Sequence, residues 1–259
     1  QSFIFVIVPL YFFVSAPMFS GISGGALVYG LLALAVLPTT ISTCVVFTQG
    51  SGGDTVSALF NSAFANMLGI IISPFLLSLF LKGTSATLSA GQMRSVFAGL
   101  FWKMVVPVLA GQGVRALLGP ISKKVKSRLS IASSSLILCM VLITFSGVAS
   151  DEEFLSMLGS SMILPFLFLA LSHLILVALA YGGATLLRFP IEERITVLFV
   201  APQKTMALGV PLLSVYFANN PALLGFALLP LLFYHPWQLI VAGVLRSVVL
   251  SKRKDHEIA

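Results

Sequence analysis

Charge is scarce in this sequence. Charged residues make up 9% of the 259, where a soluble domain carries about 25%. A water-facing surface cannot be built from so few, so the solvent of this chain is lipid. Acid is scarcest of all: no Asp or Glu falls inside an apolar run. That counts against a proton antiporter, because an intramembrane carboxylate normally performs the exchange step. Cysteine is limited to Cys44 and Cys139. Both sit in apolar runs and read as buried thiols, with no disulfide framework or metal-ligand spacing. No nucleophile–base pattern such as G-x-S-x-G appears, which argues against an enzyme.

What the sequence has in abundance is apolar length. Hydrophobic residues reach 58%, and several runs are long enough to cross a hydrocarbon core of about 30 Å. Eight spanning segments are expected: 3–19, 26–47, 55–81, 95–118, 129–149, 157–182, 195–218 and 222–250. The net charge of +7 does not point to nucleic acid, because the basic residues lie in short loops between the runs. Lys123, Lys124, Lys126 and Arg128, then Arg188 and Arg194, then Lys252, Arg253 and Lys254 all fall on one side of an eight-span topology. The acidic loop Asp151–Glu152–Glu153 falls on the other. The positive-inside rule makes the basic side cytosolic. The loop from Thr48 to Asp54 is glycine-rich but lacks the Lys-Ser/Thr of a phosphate-binding loop, so it reads as a tight turn.

Two segments are interrupted at their middles. One reads ALAVLPTTISTCVVF, with Pro38 followed by Thr39, Thr40, Ser42 and Thr43; the other reads FVAPQKTMALGVPLL, with Pro202, Gln203, Lys204 and Thr205. Proline removes a backbone donor and clashes with the preceding turn. Irregular backbone at membrane depth survives only where protein or a water-filled cavity surrounds it. Paired interruptions in two halves of a chain are the sequence pointer to a transporter site. By spacing and direction, the first three segments and the last three form an inverted pair.

Lys204 is the sharpest signal. A mid-membrane lysine costs about 2.5–3.5 kcal/mol on insertion scales, so it must meet a cavity, a polar partner or a substrate. It either caps carbonyls freed by Pro202 or serves a solute or ion, and the two roles are compatible. Gln203 and Thr205 flank it, and Thr40, Ser42 and Thr43 would face it if the broken helices cross. For each hydroxyl, a bond back to the preceding turn competes with a ligand role. Asn61 and Asn66, five apart, share roughly one face of their helix. Each is either an inter-helix hydrogen-bonding group or a site-lining one. His235 and Gln238, three apart, share a face, and a histidine there suits either a proton relay or a packed position beside Pro236. His173 reads as structural.

The run LPTTISTCVVFTQGSGGDTVSALFNSAFANMLGIIISP, the broken APQKTMALGVPLL and the Tyr-His-Pro step in PLLFYHPWQLIVAGVL together resemble the bile acid:sodium symporter superfamily, in its SBF-like branch. The resemblance covers essentially the whole chain. It implies an all-α membrane protein of ten helices in two inverted five-helix repeats, with two crossed broken helices. Helices three to ten would be present here, with the first two preceding Gln1. Residues 1–81 and 157–250 would form the core, 95–149 part of a panel, and 251–259 a cytosolic tail. In the relatives two sodium ions bind near the crossing. Aligned with those sites, Phe199 stands at a glutamate position, Gln203 at a glutamine, Lys204 at an asparagine, and Thr43–Cys44 at a Ser-Asn pair. Lys204 would then fill the space of a sodium ion, leaving sodium-independent or proton-coupled transport of an organic anion. The resemblance also implies a second reading, a regulator of calcium homeostasis that contacts membrane proteins of calcium influx. No cofactor is expected beyond a coupling Na+ or H+; the partners are a small organic solute and the lipid bilayer.

Overall fold

A computed structural model describes residues 1–21, 25–82, 90–102, 106–118, 162–218 and 221–258, with isolated positions between 119 and 146. Most of the segment expected over 129–149, the acidic loop 151–153 and Lys123, Lys124 and Lys126 lie outside the described residues. The described residues are helical and contain no strand. Numbered by the helices with described bounds, they are α1 Val8–Ser15, α2 Ala26–Val36, α3 Ser42–Gly50, α4 Thr55–Phe80, α5 Ala90–Leu100, α6 Val106–Leu118, α7 Ile163–Leu186, α8 Ile191–Val200, α9 Met206–Tyr216 and α10 Pro221–Ile258. A π-turn Phe3–Ile7 leads into α1 and a 3₁₀ turn Ala16–Phe19 follows it. The first segment is thus helical throughout but not uniformly wound.

Among the described residues three helices are long and apolar enough to cross a bilayer: Thr55–Phe80, Ile163–Leu186 and Leu223–Ser251. The two interrupted segments appear as four shorter pieces, α2 with α3 and α8 with α9. Leu37 ends α2 because a residue before proline is pushed out of the helical region, and it sits at φ −70°, ψ 144°. Thr205 starts α9 from an extended conformation, its hydroxyl accepting from the Ala207 N–H, as a good N-cap does.

Much of α4 shows membrane-type packing, with small residues inside and large ones out. On α4, Ala58, Ser62, Ala65, Gly69 and Ser73 are buried, while Phe60, Met67, Ile71 and Phe75 are exposed. An apolar stripe of that size is tolerable only against lipid or another apolar surface. Cys139 follows the same logic. The sequence reads it as buried, yet it is exposed, because in an apolar solvent hydrophobic character no longer signals the interior. Cys44 is buried as expected.

At the centre lies α2, with every residue from Leu31 to Leu37 buried. Gly30 lets it approach α10 closely: a Cβ there would lie 2.6 Å from the Ala227 carbonyl oxygen. Gly69 does the same for α4 against Pro38, where a Cβ would lie 2.7 Å from the proline ring. One end of the bundle gathers several chain reversals. Gln1 donates to Asn61 on α4, the Asp54 N–H donates to the Glu192 carbonyl at 3.2 Å, and Arg246 of α10 donates to the Gly50 carbonyl. The 48–54 turn is tight, closed by the Gly53 N–H on the Thr48 carbonyl at 2.9 Å.

Candidate functional site

The two interruptions cross. The Thr205 N–H donates to the Pro38 carbonyl at 3.0 Å, so the unwound stretch 201–205 lies directly against the unwound stretch 37–40. Each stretch carries backbone groups that its own helix cannot satisfy. The neighbouring helices supply the missing partners.

The C-terminal end of α2 is satisfied carbonyl by carbonyl. Lys204 Nζ donates to Ala35 O at 2.9 Å and to Leu37 O at 2.7 Å. Ser73 of α4 donates to Val36 O at 2.7 Å. Asn66 of α4 donates to Thr39 O at 2.7 Å and to Ser62 O on its own helix. Lys204 is fully buried, and among the described residues no carboxylate is bonded to it. Its ammonium sits instead at the end of a helix, where the backbone dipoles amount to about half a negative charge. Lys204 therefore does cap carbonyls, but those before Pro38 on the partner segment. Pro202 frees a different set, in Lys204's own segment. Sequence spacing cannot show this, because the lysine stem reaches across the crossing.

A second cluster forms around Gln203, buried like its neighbours Thr39, Thr40, Lys204 and Thr205. Its Oε1 accepts from Thr40 at 2.6 Å and Thr43 at 2.9 Å. The Thr40 and Thr43 hydroxyls also lie in contact with each other. The Cys44 thiol lies 3.1 Å from the Phe199 carbonyl and 3.3 Å from Gln203 Oε1. Ser42 stands apart: it is exposed on the first turn of α3. The expectation that it joins its neighbours at the crossing is corrected by helix geometry, since a residue between Thr40 and Thr43 points roughly a third of a turn away.

Helix α10 holds the 201–205 stretch from behind. Gln238 Oε1 accepts from the Lys204 N–H at 2.8 Å, and Gln238 Nε2 donates to the Lys204 carbonyl at 2.8 Å. Its second amide proton goes to His235 Nδ1 at 2.9 Å. Tyr234, fully buried, donates to the Pro202 carbonyl at 2.8 Å. A hydroxyl has one proton to give, so His173 Nδ1, 2.9 Å from the same oxygen, is the donor of that pair. His173 is structural, as its sequence context suggests. Tyr234 and Ser73 are the members of the site that sequence reasoning does not single out. The Tyr-His-Pro step contains one; the other is a lone serine in an apolar run.

Beside the crossing lies a cavity of about 580 Å³. Its walls are mostly apolar and come from the first turn of the chain, α4, α7 and α8. It reaches Val200 and Ala201, where α8 unwinds, and it is lined by Ser57, Asn61, Glu193 and Thr196. Asn61 belongs to this cavity and not to the crossing, so the two asparagines of α4 serve different places. Lys204 does not line it. Among the described residues no group of His, Cys, Asp or Glu could hold a metal ion.

Crossed unwound helices with a buried cation at their junction, inside an all-α membrane bundle, define a secondary-transporter fold. The comparison with known families agrees. Residues 1–250 match the SBF-like CPA transporter family, and the chain belongs to that family, a family of transporters and not of enzymes. It is 30% identical to sodium/bile acid cotransporter 7 of Rattus norvegicus over 237 residues, 90% of this chain and 68% of the relative. It is 31% identical to sodium/bile acid cotransporter 7-B of Xenopus laevis over 234 residues, 88% of this chain and 66% of the relative. An uncharacterised protein of Pseudomonas aeruginosa is 29% identical over 264 residues, 98% of this chain and 75% of that one. The chain thus spans about two thirds of the length of the cotransporter 7 relatives.

Proposed function

We propose that this chain carries the translocation machinery of a secondary active transporter that moves an organic anion or similar small solute by alternating access, with no sodium ion at the helix crossing. The observation that carries the reading is the Lys204 ammonium on the Ala35 and Leu37 carbonyls. Carbonyls at the end of an unwound helix are the groups that coordinate a coupling cation in such folds. Here a tethered cation already holds them. The relatives' names speak of sodium and bile acid; the solute class follows those names, and the sodium does not.

The cavity supports the transport role. At about 580 Å³ it lies within the range of roughly 300–1,000 Å³ that small-molecule sites occupy, and it ends at the unwound stretch. With the basic loops in the cytosol, the lining residues Phe189 and Glu193 stand at the cytosolic end of the cavity, as an inward-facing conformation requires. In this reading the core, 1–81 and 157–250, rocks against a panel that includes 95–149, and the two broken segments belong to inverted repeats.

The test is uptake of a panel of organic anions by the full-length protein in liposomes, with sodium or N-methylglucamine outside. Uptake is expected to be unchanged by the sodium replacement and abolished in Lys204→Ala. Sodium-dependent uptake that survives Lys204→Ala refutes the reading. No uptake of any solute, with a cellular calcium phenotype indifferent to Lys204→Ala, favours the calcium regulator instead.

A further inference from the structure

We infer that His235 is a proton-binding site whose occupancy controls the clamp by which Gln238 holds Lys204, so that the helix crossing responds to protons. The inference rests on the transporter reading for its link to solute movement, and names the proton as the coupling species.

The argument is a count of hydrogens. An amide side chain is normally ambiguous, since its oxygen and nitrogen look alike. Gln238 is not ambiguous, because it faces both the N–H and the C=O of Lys204. Only one orientation pairs acceptor with donor at each. The amide nitrogen then has two protons: one goes to the Lys204 carbonyl, and the other points at His235 Nδ1. His235 Nδ1 must accept. The ring is therefore neutral, with its proton on Nε2.

Adding a proton to Nδ1 puts a donor against a donor at 2.9 Å. Gln238 cannot turn over to accommodate it, because that would set its oxygen against the Lys204 carbonyl and its nitrogen against the Lys204 N–H. The two N–H groups repel until one side chain moves, and a Gln238 that moves away from the ring gives up its two-point clamp on the unwound stretch. Lys204 lies between the clamp and the α2 carbonyls, so a loosened backbone at 204 frees the ammonium that holds the crossing.

Two titratable residues meet at this clamp, His235 and Lys204, and the His235 variants below separate them. The described elements packed on α10 are α2, α3, α7, α8 and α9; the carboxylates they carry are Glu192 and Glu193, in the first turn of α8, at the other end of that helix from the crossing. The Lys204 ammonium points away, at Ala35 and Leu37. His173 on α7 is committed to Tyr234, and the Cys44 thiol on α3 to the Phe199 carbonyl. Tyr29 on α2, Tyr181 on α7 and Tyr216 on α9 are the phenols these elements carry, besides Tyr234 on α10 itself. Gln238 and Lys204 are fully buried, whereas His235 is only partly so.

The test uses the full-length protein in nanodiscs, with no solute. Amide hydrogen exchange of the 201–206 stretch, corrected for the intrinsic pH effect, is followed from about pH 8 to about pH 4, through and below the ordinary histidine range. Protection at Lys204 is expected to fall about ten-fold, the effect of losing one buried hydrogen bond. His235→Gln and His235→Asn should hold it flat, and His173→Gln should keep the wild-type response. A flat wild-type profile, or a His235 variant that still follows it, overturns the inference. The unmutated protein gives an independent check. Nitrogen-15 spectra at high pH should show His235 Nδ1 without a proton and Nε2 with one; the opposite tautomer overturns it. Neither measurement depends on solute, so the proton switch can stand while the transport reading fails.

Discussion

Replacing Gln238 by leucine removes the amide but little volume, which makes its cost calculable. The wild-type amide satisfies two fully buried backbone groups, the Lys204 N–H and C=O, each at 2.8 Å. Leucine can neither donate nor accept. An orphaned buried donor or acceptor costs about 1–3 kcal/mol, so the pair predicts a loss of roughly 2–6 kcal/mol. The third bond, to His235, adds little because that ring is partly exposed. For a chain of this size the loss corresponds to a Tm lower by roughly 5–20 °C. Thermal unfolding in nanodiscs measures it, and Trp237 is a local probe, since its ring N–H donates to the Ala170 carbonyl one helix away. A Gln238→Leu protein within about 1 kcal/mol of wild type would refute the clamp, because a single unmet backbone group already costs that much.

Two further predictions concern the cavity and the turn that borders it. A Cβ added at Gly183 meets nothing within 4 Å, and Gly183 lines the cavity; Gly183→Leu should therefore fold with an unchanged Tm yet lose solute uptake, and a collapsed fold or full uptake contradicts that. At the start of α4, the Ser57 hydroxyl and backbone N–H hold the Asp54 carboxyl below its usual range, with the Val56 N–H assisting. A carboxyl depressed on folding stabilises above its unfolded pKa, and the contribution disappears as pH falls through the depressed value. Asp54→Asn should accordingly lower Tm at neutral pH, leave it unchanged at the acid end where the carboxyl is already protonated, and so flatten the fall between them in thermal melts across pH; an unchanged slope contradicts it.

Sequence and tertiary structure decided different things. The scarcity of charge determined the solvent, and with it the all-helical class, because only helices satisfy their own backbone along an isolated span in lipid. Pro38 and Pro202 located the two interruptions, since a missing N–H and a displaced preceding residue act locally. Lys204 announced the site by its cost. Whom it pairs with was not legible. Its partners are backbone carbonyls about 170 positions away in sequence, and every residue has a carbonyl, so no side-chain pattern marks them. The same holds for Ser73 and Asn66, whose acceptors are carbonyls of the α2 end. Ser42 and Cys139 failed for related reasons. A cluster of hydroxyls does not say which of them faces inward, and an apolar run in a bilayer does not separate interior from lipid. Sequence marks where the backbone must break; only the folded chain shows which neighbours supply the hydrogen bonds the break leaves unmet.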